Sequence, residues 1–361
     1  MIEIKGLSKR FGKKLVLDNL NFKVEKGEYI VILGPTGAGK TTLLRIIAGL
    51  ERPTSGEVWR DGRRIDKLEP EERKIAYLSQ TYALFPHMNI LENVMFPRIV
   101  SGTNPAIAMK VAEEYLTLMN LLSRKTSFPR EMSGGMMQRV ALARALASGF
   151  EILLFDEPLR ALDAKLRIML RSELKKIAKD FGITVIHVTH DEEEAMEIGD
   201  RIIVLRRGKI VQEGKPEKIF SEPATPFVAN FVGGGNFMAF FVEACSSNEL
   251  ILKDVHGRKL KVVVNKKFKV GEKVLVCMRY EQMELVMTEE ENSFYGCVDK
   301  IYQVGKFYEI DFSTEYERLL AKMPITERLP ANEGVHCWLK PKKVLCFSAE
   351  NLNIQEELEV E

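Results

Sequence analysis

Two kinds of segment alternate along the first two thirds of the chain. Short apolar runs such as EYIVIL, EILLF and ITVIHVTH predict buried strands. Longer segments with apolar residues at spacings of three and four, such as GKTTLLRIIAGL and AKLRIMLRSELKKIAKDFG, predict helices. Short strands that alternate with helices indicate a mostly parallel sheet covered on both faces. We therefore predict an α/β domain over residues 1–232, with a largely helical subdomain at about 83–150.

The pattern changes after the three glycines of FVGGGN. Beyond them apolar and polar residues alternate with a period of two, and turn sequences such as DVHG, KVGEK and PANEG recur. Two stretches, 274–286 and 335–347, repeat one order of alternating strand, basic residue and closing apolar strand. We predict an all-β domain over 233–350, built as two small OB-like barrels and followed by an acidic tail, 351–361.

Length and charge limit the classes of protein to consider. The 361 residues are enough for two or three domains with their own cores. A net charge of +2 without a long basic block argues against nucleic acid as a partner. No apolar run approaches the roughly 18 residues of a membrane span, and the N-terminus lacks the core of a signal peptide, so we expect a cytoplasmic protein. The five cysteines are widely spaced and odd in number, which predicts buried free thiols in strands.

A glycine-rich loop lies between a predicted strand and a predicted helix. Its sequence, GPTGAGKTT, fits the phosphate-loop pattern G-x-x-x-x-G-K-[ST]. The glycines let successive backbone N–H groups face a phosphate, Lys40 adds a positive charge, and Thr41 offers a hydroxyl to Mg²⁺. The predicted phosphate-binding residues are Gly34, Pro35, Thr36, Gly37, Ala38, Gly39, Lys40, Thr41 and Thr42.

Other candidate side chains follow strand-like segments. In EILLFDEP, Asp156 suits the Mg²⁺ shell and Glu157 a base for the attacking water, the alternative for Glu157 being an acidic cap of the next helix. His190 ends ITVIHVTH and Gln80 ends IAYLSQ, but either residue alone is more often structural. Phe11 is either core or a stacking platform for a base.

The segment EMSGGMMQRVALARALA predicts a helix with an unusual beginning. Val140, Ala143 and Ala147 would form one apolar stripe. Before the helix stand a serine and two glycines, which leave N–H groups bare at its positive end. No lysine follows, so this is a predicted anion site that lacks the cation of a phosphate loop.

Six motifs occur together in the order and approximate spacing of the ATP-binding-cassette (ABC) ATPases: the phosphate loop, YLSQ, MSGGMMQR, LLFDEP, RALD and VTHD. The chain resembles this family over its whole length. Three features resemble the import ATPases in particular: the segment TYALFPHMNILENV, the segment LDAKLR and the β-rich remainder. In those proteins C-terminal regulatory barrels follow the nucleotide-binding domain. The resemblance implies hydrolysis of ATP with Mg²⁺ by a peripheral protein at the cytoplasmic face of the membrane.

The resemblance also assigns roles to matching positions. Phe11, with Val16 beside it, corresponds to the aromatic residue that stacks on adenine. Gln80 corresponds to the glutamine that reaches Mg²⁺ and the attacking water. His190 corresponds to the histidine that contacts the γ-phosphate and steadies Glu157.

In this family two nucleotide-binding domains hold two ATP molecules, each between one subunit's phosphate loop and the other's signature. The signature here is Ser133, Gly134, Gly135 and Met136, and Asp163 corresponds to the acid of a loop that crosses the dimer interface. The resemblance therefore implies a second ATPase subunit, most simply another copy. It also implies a transmembrane permease and, indirectly, an extracytoplasmic solute-binding protein.

Three positions depart from the family pattern. Met132 and Met136 stand where leucine and glutamine are usual, and Arg160 stands where the loop before Asp163 usually has serine. Methionine keeps helix propensity but loses the polar contact of glutamine. A long cation at a dimer seam either adds a contact to the partner or slows closure.

The cargo and the permease contacts are less constrained. The spacing G-x-x-N in FVGGGN slightly favours polyamine, iron or oxyanion import over sugar import. Tyr82, Leu84, Phe85 and Met88 are candidate permease contacts, the alternative being subdomain core. Two other functions stay open: an ABC ATPase acting on nucleic acid or ribosomes, and a ligand sensor that uses the barrels and hydrolyses ATP secondarily.

Overall fold

The predicted strands and helices of the first 221 residues form one compact unit, and the described residues from Glu222 onward form a second. The computed structural model describes residues 1–246, 248–264, 266–350 and 352–359. The elements of the first unit are β1 (Ile2–Phe11), β2 (Lys14–Val24), β3 (Tyr29–Leu33), α1 (Lys40–Ala48), β4 (Ser55–Arg60), β5 (Arg63–Arg64), α2 (Pro70–Arg73), β6 (Ala76–Leu78), α3 (Ile90–Val100), α4 (Pro105–Leu118), α5 (Gly134–Ala147), β7 (Ile152–Asp156), α6 (Ala164–Asp180), β8 (Thr184–Thr189), α7 (Glu192–Ile198), β9 (Arg201–Arg206), β10 (Lys209–Gly214) and α8 (Pro216–Ser221).

A six-stranded sheet in the order β10-β9-β3-β8-β7-β6 forms the centre of this unit. The strands β9, β3, β8, β7 and β6 pair in parallel, and only the pairing of β10 with β9 in this sheet is antiparallel. Every residue of β3, β7 and β8 is buried, as expected of parallel strands covered on both faces. Because parallel strands end at the same edge, the segments that follow β3, β6, β7 and β8 meet there.

A second, antiparallel sheet in the order β2-β1-β4-β5 lies against α1. Apolar side chains of both sheets and of α1, including Leu17, Leu44 and Ile186, form one buried core. This packing holds the start of α1, and hence the phosphate loop, against two sheets.

Three helices, α3, α4 and α5, lie between β6 and β7, with short 3₁₀ turns at Leu122–Arg124 and Pro129–Glu131. Asn89 caps α3, and Asn104 caps α4 with Pro105 in the first turn. The helix α5 is buried on nearly all sides, and its buried residues include Ala141 and Leu142 as well as the predicted stripe. The expected single stripe on α5 was therefore too narrow.

The second unit is mostly β, and its two sheets have matching strand orders. Its elements are α9 (Pro226–Phe231), β11 (Asn236–Cys245), β12 (Glu249–Lys253), β13 (Lys259–Val263), β14 (Lys273–Met278), β15 (Met283–Val286), β16 (Phe294–Val304), β17 (Phe307–Thr314), β18 (Arg318–Pro324), β19 (His336–Pro341), β20 (Leu345–Ser348) and α10 (Ile354–Leu358). One sheet runs β13-β12-β11-β14-β20 and the other β18-β17-β16-β19-β15. The repeated stretches of sequence correspond to β14–β15 and β19–β20, and each copy contributes one strand to each sheet.

The division between the units falls earlier than the predicted boundary at 232/233. The helix α9, which precedes the glycine run, belongs to the second unit. There the buried Arg279 donates a hydrogen bond to the carbonyl of Ala229 at 2.6 Å and another to the carbonyl of Val232. The composition changes at the glycines, but the packing changes before the helix.

The five cysteines are free thiols in strands, as predicted, but they are not all buried. Cys277 and Cys337 are buried, whereas Cys245 is exposed at the end of β11. Among the described residues, no helix is both long and apolar enough to cross a membrane.

Candidate active site

The strand ends at one edge of the central sheet enclose a cavity of about 530 Å³. The phosphate loop forms one wall, and the segments after β6 and β7 form another. The lining residues are Lys14, Leu15, Val16, Thr36, Gly37, Gly39, Lys40, Thr41, Thr42, Gln80, Glu157, Arg160 and Arg207. The predicted phosphate loop and the two predicted groups Gln80 and Glu157 thus line one cavity.

The phosphate loop needs glycine where it passes close to neighbouring backbone. A Cβ on Gly34 would lie 2.2 Å from the carbonyl oxygen of Leu205. Gly39 has a φ of +105°, and a Cβ there would lie 2.6 Å from a methyl group of Leu17. Both positions therefore exclude any side chain, because of crowding at Gly34 and because of both crowding and backbone conformation at Gly39.

Lys40 is buried at the base of this loop. Its ammonium donates hydrogen bonds to the carbonyls of Gly34 at 2.7 Å and Pro35 at 2.9 Å. Burial lowers the pKa of Lys40, and the nearby carboxylates of Glu157 and Asp156 oppose that shift. Within the described residues the third N–H of the ammonium is left for a bound phosphate.

Asp156 ends β7 and is buried beside the phosphate loop. Its Oδ1 accepts a hydrogen bond from the hydroxyl of Thr41, and its Oδ2 accepts one from the hydroxyl of Tyr77, both at 3.1 Å. Burial raises the pKa of Asp156 despite these two bonds. A buried carboxylate next to a hydroxyl is an oxygen donor set that a hard divalent cation would stabilise, so Asp156 and Thr41 fit Mg²⁺.

Glu157 follows with a φ of +50°, which turns its side chain away from the strand direction. Its Oε1 lies 2.8 Å from Nδ1 of His190. Its Oε2 accepts hydrogen bonds from Arg160 at 2.8 Å and from the Gln80 amide at 3.3 Å. Burial raises the pKa of Glu157, but the bonds to His190 and Arg160 outweigh burial and lower it. The carboxylate is therefore ionised and held on the cavity wall.

The same carboxylate does not cap the following helix. The cap of α6 is Asp163, whose Oδ1 accepts a hydrogen bond from the N–H of Leu166 at 3.0 Å. The capping alternative for Glu157 is thus wrong, and Asp163, which we matched to a dimer-interface residue, has this local role in the single subunit.

The signature lies apart from the phosphate loop of its own chain. Ser133 caps α5, and its hydroxyl accepts a hydrogen bond from the N–H of Met136 at 3.3 Å. Ser133 and Gly134 are exposed, while a Cβ on Gly135 would lie 2.9 Å from the carbonyl oxygen of Ala161. Among the described residues that line the 530 Å³ cavity, none comes from the signature.

Comparisons with known proteins identify the family of this chain. The ABC transporter family model matches residues 17–160. The spermidine/putrescine import ATP-binding protein PotA of Nitrosomonas europaea is 41% identical over 89% of this chain and 91% of its own length. The protein of the same name from Acetivibrio thermocellus is 39% identical over 87% and 88% of the two chains. The chain belongs to the family of ABC transporter import ATP-binding proteins.

Solved structures of this family show the same fold. A dimeric ATP-binding cassette in a post-hydrolysis state, bound to ADP and Pi, matches with a TM-score of 0.56 and 36% identity. A dimeric bacterial ABC transporter cassette matches with the same values. Both matches cover 60% of this chain and 99% of the solved chain. The P-loop ABC ATPase fold predicted from the motifs is confirmed, and the family activity is hydrolysis of ATP with Mg²⁺.

Not every predicted residue of this ATP-binding subunit lies at the cavity. Val16 lines it, whereas Phe11 does not. Phe11 ends β1 and is 47% exposed, and the ammonium of Lys9 lies 4.7 Å from the centre of its ring. Its assignment to adenine stays a prediction.

Two residues of the site were missed from the sequence. Tyr77 is the first residue of YLSQ, where no role was assigned to it, and it reaches Asp156 because β6 pairs with β7. Gln138 of α5 is buried, donates a hydrogen bond to the carbonyl of Glu157 at 3.1 Å and accepts one from the N–H of Ala161 at 3.0 Å. A polar residue on the apolar face of a helix was the available signal for Gln138.

Proposed function

We propose that this subunit hydrolyses MgATP at the cavity between the phosphate loop and Glu157 and thereby drives polyamine import. The observation that carries this proposal is the convergence of Lys40, Asp156 and Glu157 at one edge of the central sheet. Together they supply a cation for phosphate, an oxygen site for a metal and a base for water.

Each side chain then has one task. The phosphate loop and Lys40 hold the β- and γ-phosphates, while Thr41, Asp156 and the amide oxygen of Gln80 would hold Mg²⁺. When bound, Mg²⁺ neutralises charge on the phosphates. An Oε atom of Glu157 accepts the proton of the attacking water, and His190 orients that carboxylate through its bond to Oε1.

The signature residues do not line the cavity of their own chain, which supports a site that a second copy completes. Ser133, Gly134, Gly135 and Met136 lie outside the cavity of their own chain, and their helix begins with exposed backbone. An exposed helix N-terminus binds anions, so this one would hold the γ-phosphate of ATP bound to the partner's Lys40. The related cassettes solved as dimers support a dimer of this chain. Asp163 would lie at that interface.

Gel filtration of the full chain tests the composite site. Glu157→Gln slows hydrolysis, so this variant should elute as a dimer with MgATP and as a monomer without it. Adding Ser133→Arg should return it to a monomer while ATP binding to the monomer is retained. The large arginine side chain is added at the signature and leaves the phosphate loop unchanged. A Glu157→Gln variant that stays monomeric with MgATP would contradict the composite site. Loss of monomer binding in Ser133→Arg would contradict a signature that acts in trans.

The relatives' names support the choice of cargo and partners. We propose that the chain energises a permease for spermidine or putrescine, with an extracytoplasmic binding protein, from the cytoplasmic face of the membrane. The two five-stranded sheets of the second unit would be OB-like regulatory barrels. Uptake of labelled spermidine in cells lacking this chain should return with the wild-type chain and not with Glu157→Gln. Restored uptake of iron, an oxyanion or maltose instead would contradict the cargo assignment.

A further inference from the structure

The loop after Glu157 folds back onto the residue it follows. The N–H of Arg160 lies 3.4 Å from the carbonyl of Glu157, and Nη1 of Arg160 lies 2.8 Å from Oε2 of the same residue. Arg160 and Glu157 both line the 530 Å³ cavity and a smaller cavity of about 90 Å³. The side chain that departs from the family pattern therefore contacts the proposed base directly.

Both oxygens of the Glu157 carboxylate are engaged in the single subunit. Oε1 is bonded to His190, and Oε2 is bonded to Arg160 and Gln80. Lys40 adds positive charge from the phosphate loop, and Asp156 adds negative charge from the preceding position. Arg160 differs from Gln80 because its guanidinium makes a charge-assisted hydrogen bond to the carboxylate. Within the part of the chain that the structure describes, its hydrogen-bond partner is Glu157.

We propose that Arg160 is a latch that occupies Oε2 of Glu157 in the single subunit and thereby restrains basal ATP hydrolysis. The inference rests on the proposed function, in which Glu157 is the base. A base must direct a free lone pair at the attacking water, and a charge-assisted bond from a neighbouring guanidinium competes for that lone pair. Arg160 is thus a positioning residue, since it acts on hydrolysis through Glu157.

The latch is weak enough to open. The Arg160 side chain is 60% exposed and the contact spans three residues of one loop, so water competes for both groups. A pair of this kind shifts an equilibrium by about two- to fivefold. Any contact that draws the guanidinium away from Glu157 would have the same effect on hydrolysis as removing it. The residue therefore sets the basal rate without blocking the site.

Steady-state hydrolysis by the purified full chain tests the latch. Arg160→Ser should raise kcat by about two- to fivefold while KM for ATP changes less than twofold. Arg160→Lys keeps a cation at the same place and should return kcat at least halfway to the wild-type value. Lys165→Ser is the matched control, because it removes an exposed cation near the same loop without a bond to Glu157, and it should leave kcat unchanged.

Other outcomes overturn the latch. A lower or unchanged kcat in Arg160→Ser would show that the guanidinium assists hydrolysis or plays no part in it. A raised KM would show that it binds nucleotide instead. Glu157→Gln should have the same slow turnover with either residue at position 160, and a rise in turnover on adding Arg160→Ser to that variant would place the effect elsewhere. Wild-type turnover by Glu157→Gln alone would contradict the proposed base itself, which distinguishes the two failures.

Discussion

The buried Gln138 offers the sharpest test of how the signature helix is tied to the base. Its amide nitrogen donates to the carbonyl of Glu157 at 3.1 Å, and its amide oxygen accepts from the N–H of Ala161 at 3.0 Å. One side chain of α5 thus bonds to both ends of the turn that carries Arg160. We expect Gln138→Met, which keeps the length of the side chain and removes both bonds, to loosen this turn.

The cost follows from the two hydrogen bonds that are lost, after which the carbonyl of Glu157 keeps only the long 3.4 Å contact with the N–H of Arg160. A lost hydrogen bond at a buried site costs about 1–1.5 kcal/mol. Gln138 is only 2% exposed, so the carbonyl of Glu157 beside it is poorly placed to find water, whereas Ala161 is exposed and its N–H can. The free energy of unfolding should therefore fall by about 1–2 kcal/mol rather than by the full value of two bonds. Because the turn holds Glu157, kcat should also fall, by about tenfold or more.

Denaturant unfolding and steady-state hydrolysis measure the two effects on the same preparation. Met137→Leu is the control, since it changes the neighbouring residue of α5 by a swap of similar volume and leaves both hydrogen bonds of Gln138 in place; it should leave kcat unchanged. Normal kcat in Gln138→Met, together with the loss of stability, would refute the argument that this amide positions the base. Unchanged stability would refute the bond energies on which the magnitude rests.

Three further outcomes follow from the site. Lys40→Ala should abolish ATP turnover, and unchanged turnover would contradict the phosphate-loop assignment. Gly34→Ala should lose ATP binding in a direct binding assay, because its Cβ would meet the carbonyl of Leu205 at 2.2 Å. Asp156→Asn should raise the melting temperature of the nucleotide-free protein at pH 7.5. Burial raises the pKa of this carboxyl, so at a pH above its ordinary pKa the charged form destabilises the folded state. In the same variant, MgATP should raise the melting temperature no more than ATP alone, because the proposed Mg²⁺ ligand is lost.

The candidate site was largely predictable because it lies at strand ends. Lys40, Asp156, Glu157 and His190 each follow or end a short apolar run, and parallel strands bring such positions to a common edge. Those residue types also have few other reasons to occur there, since a charged group at the end of a buried strand is costly without a partner. Chemistry and topology therefore pointed to the same edge of the sheet.

The supporting contacts were not predictable in the same way. Gln138 and Tyr77 reach Glu157 and Asp156 across sequence separations of 19 and 79 residues. Such a contact depends on how α5 packs and on which strand lies beside β7. The local pattern of apolar residues predicts neither. The same reason explains why α5 has more than the one predicted buried stripe: neighbouring elements cover its other faces as well.

The second unit shows a different limit. The repeat in the sequence marks two related strand pairs, but it does not indicate which strands each of them pairs with. In the structure β14 of the first copy pairs with β20 of the second, and β15 of the first pairs with β19 of the second. One continuous apolar core includes residues of both sheets, such as Phe240, Val276 and Phe312. Because each copy completes the sheet of the other, neither sheet keeps all its strands if one copy is removed. The two sheets are therefore expected to fold and unfold together, and a sequence repeat alone cannot distinguish this exchange from two independent domains.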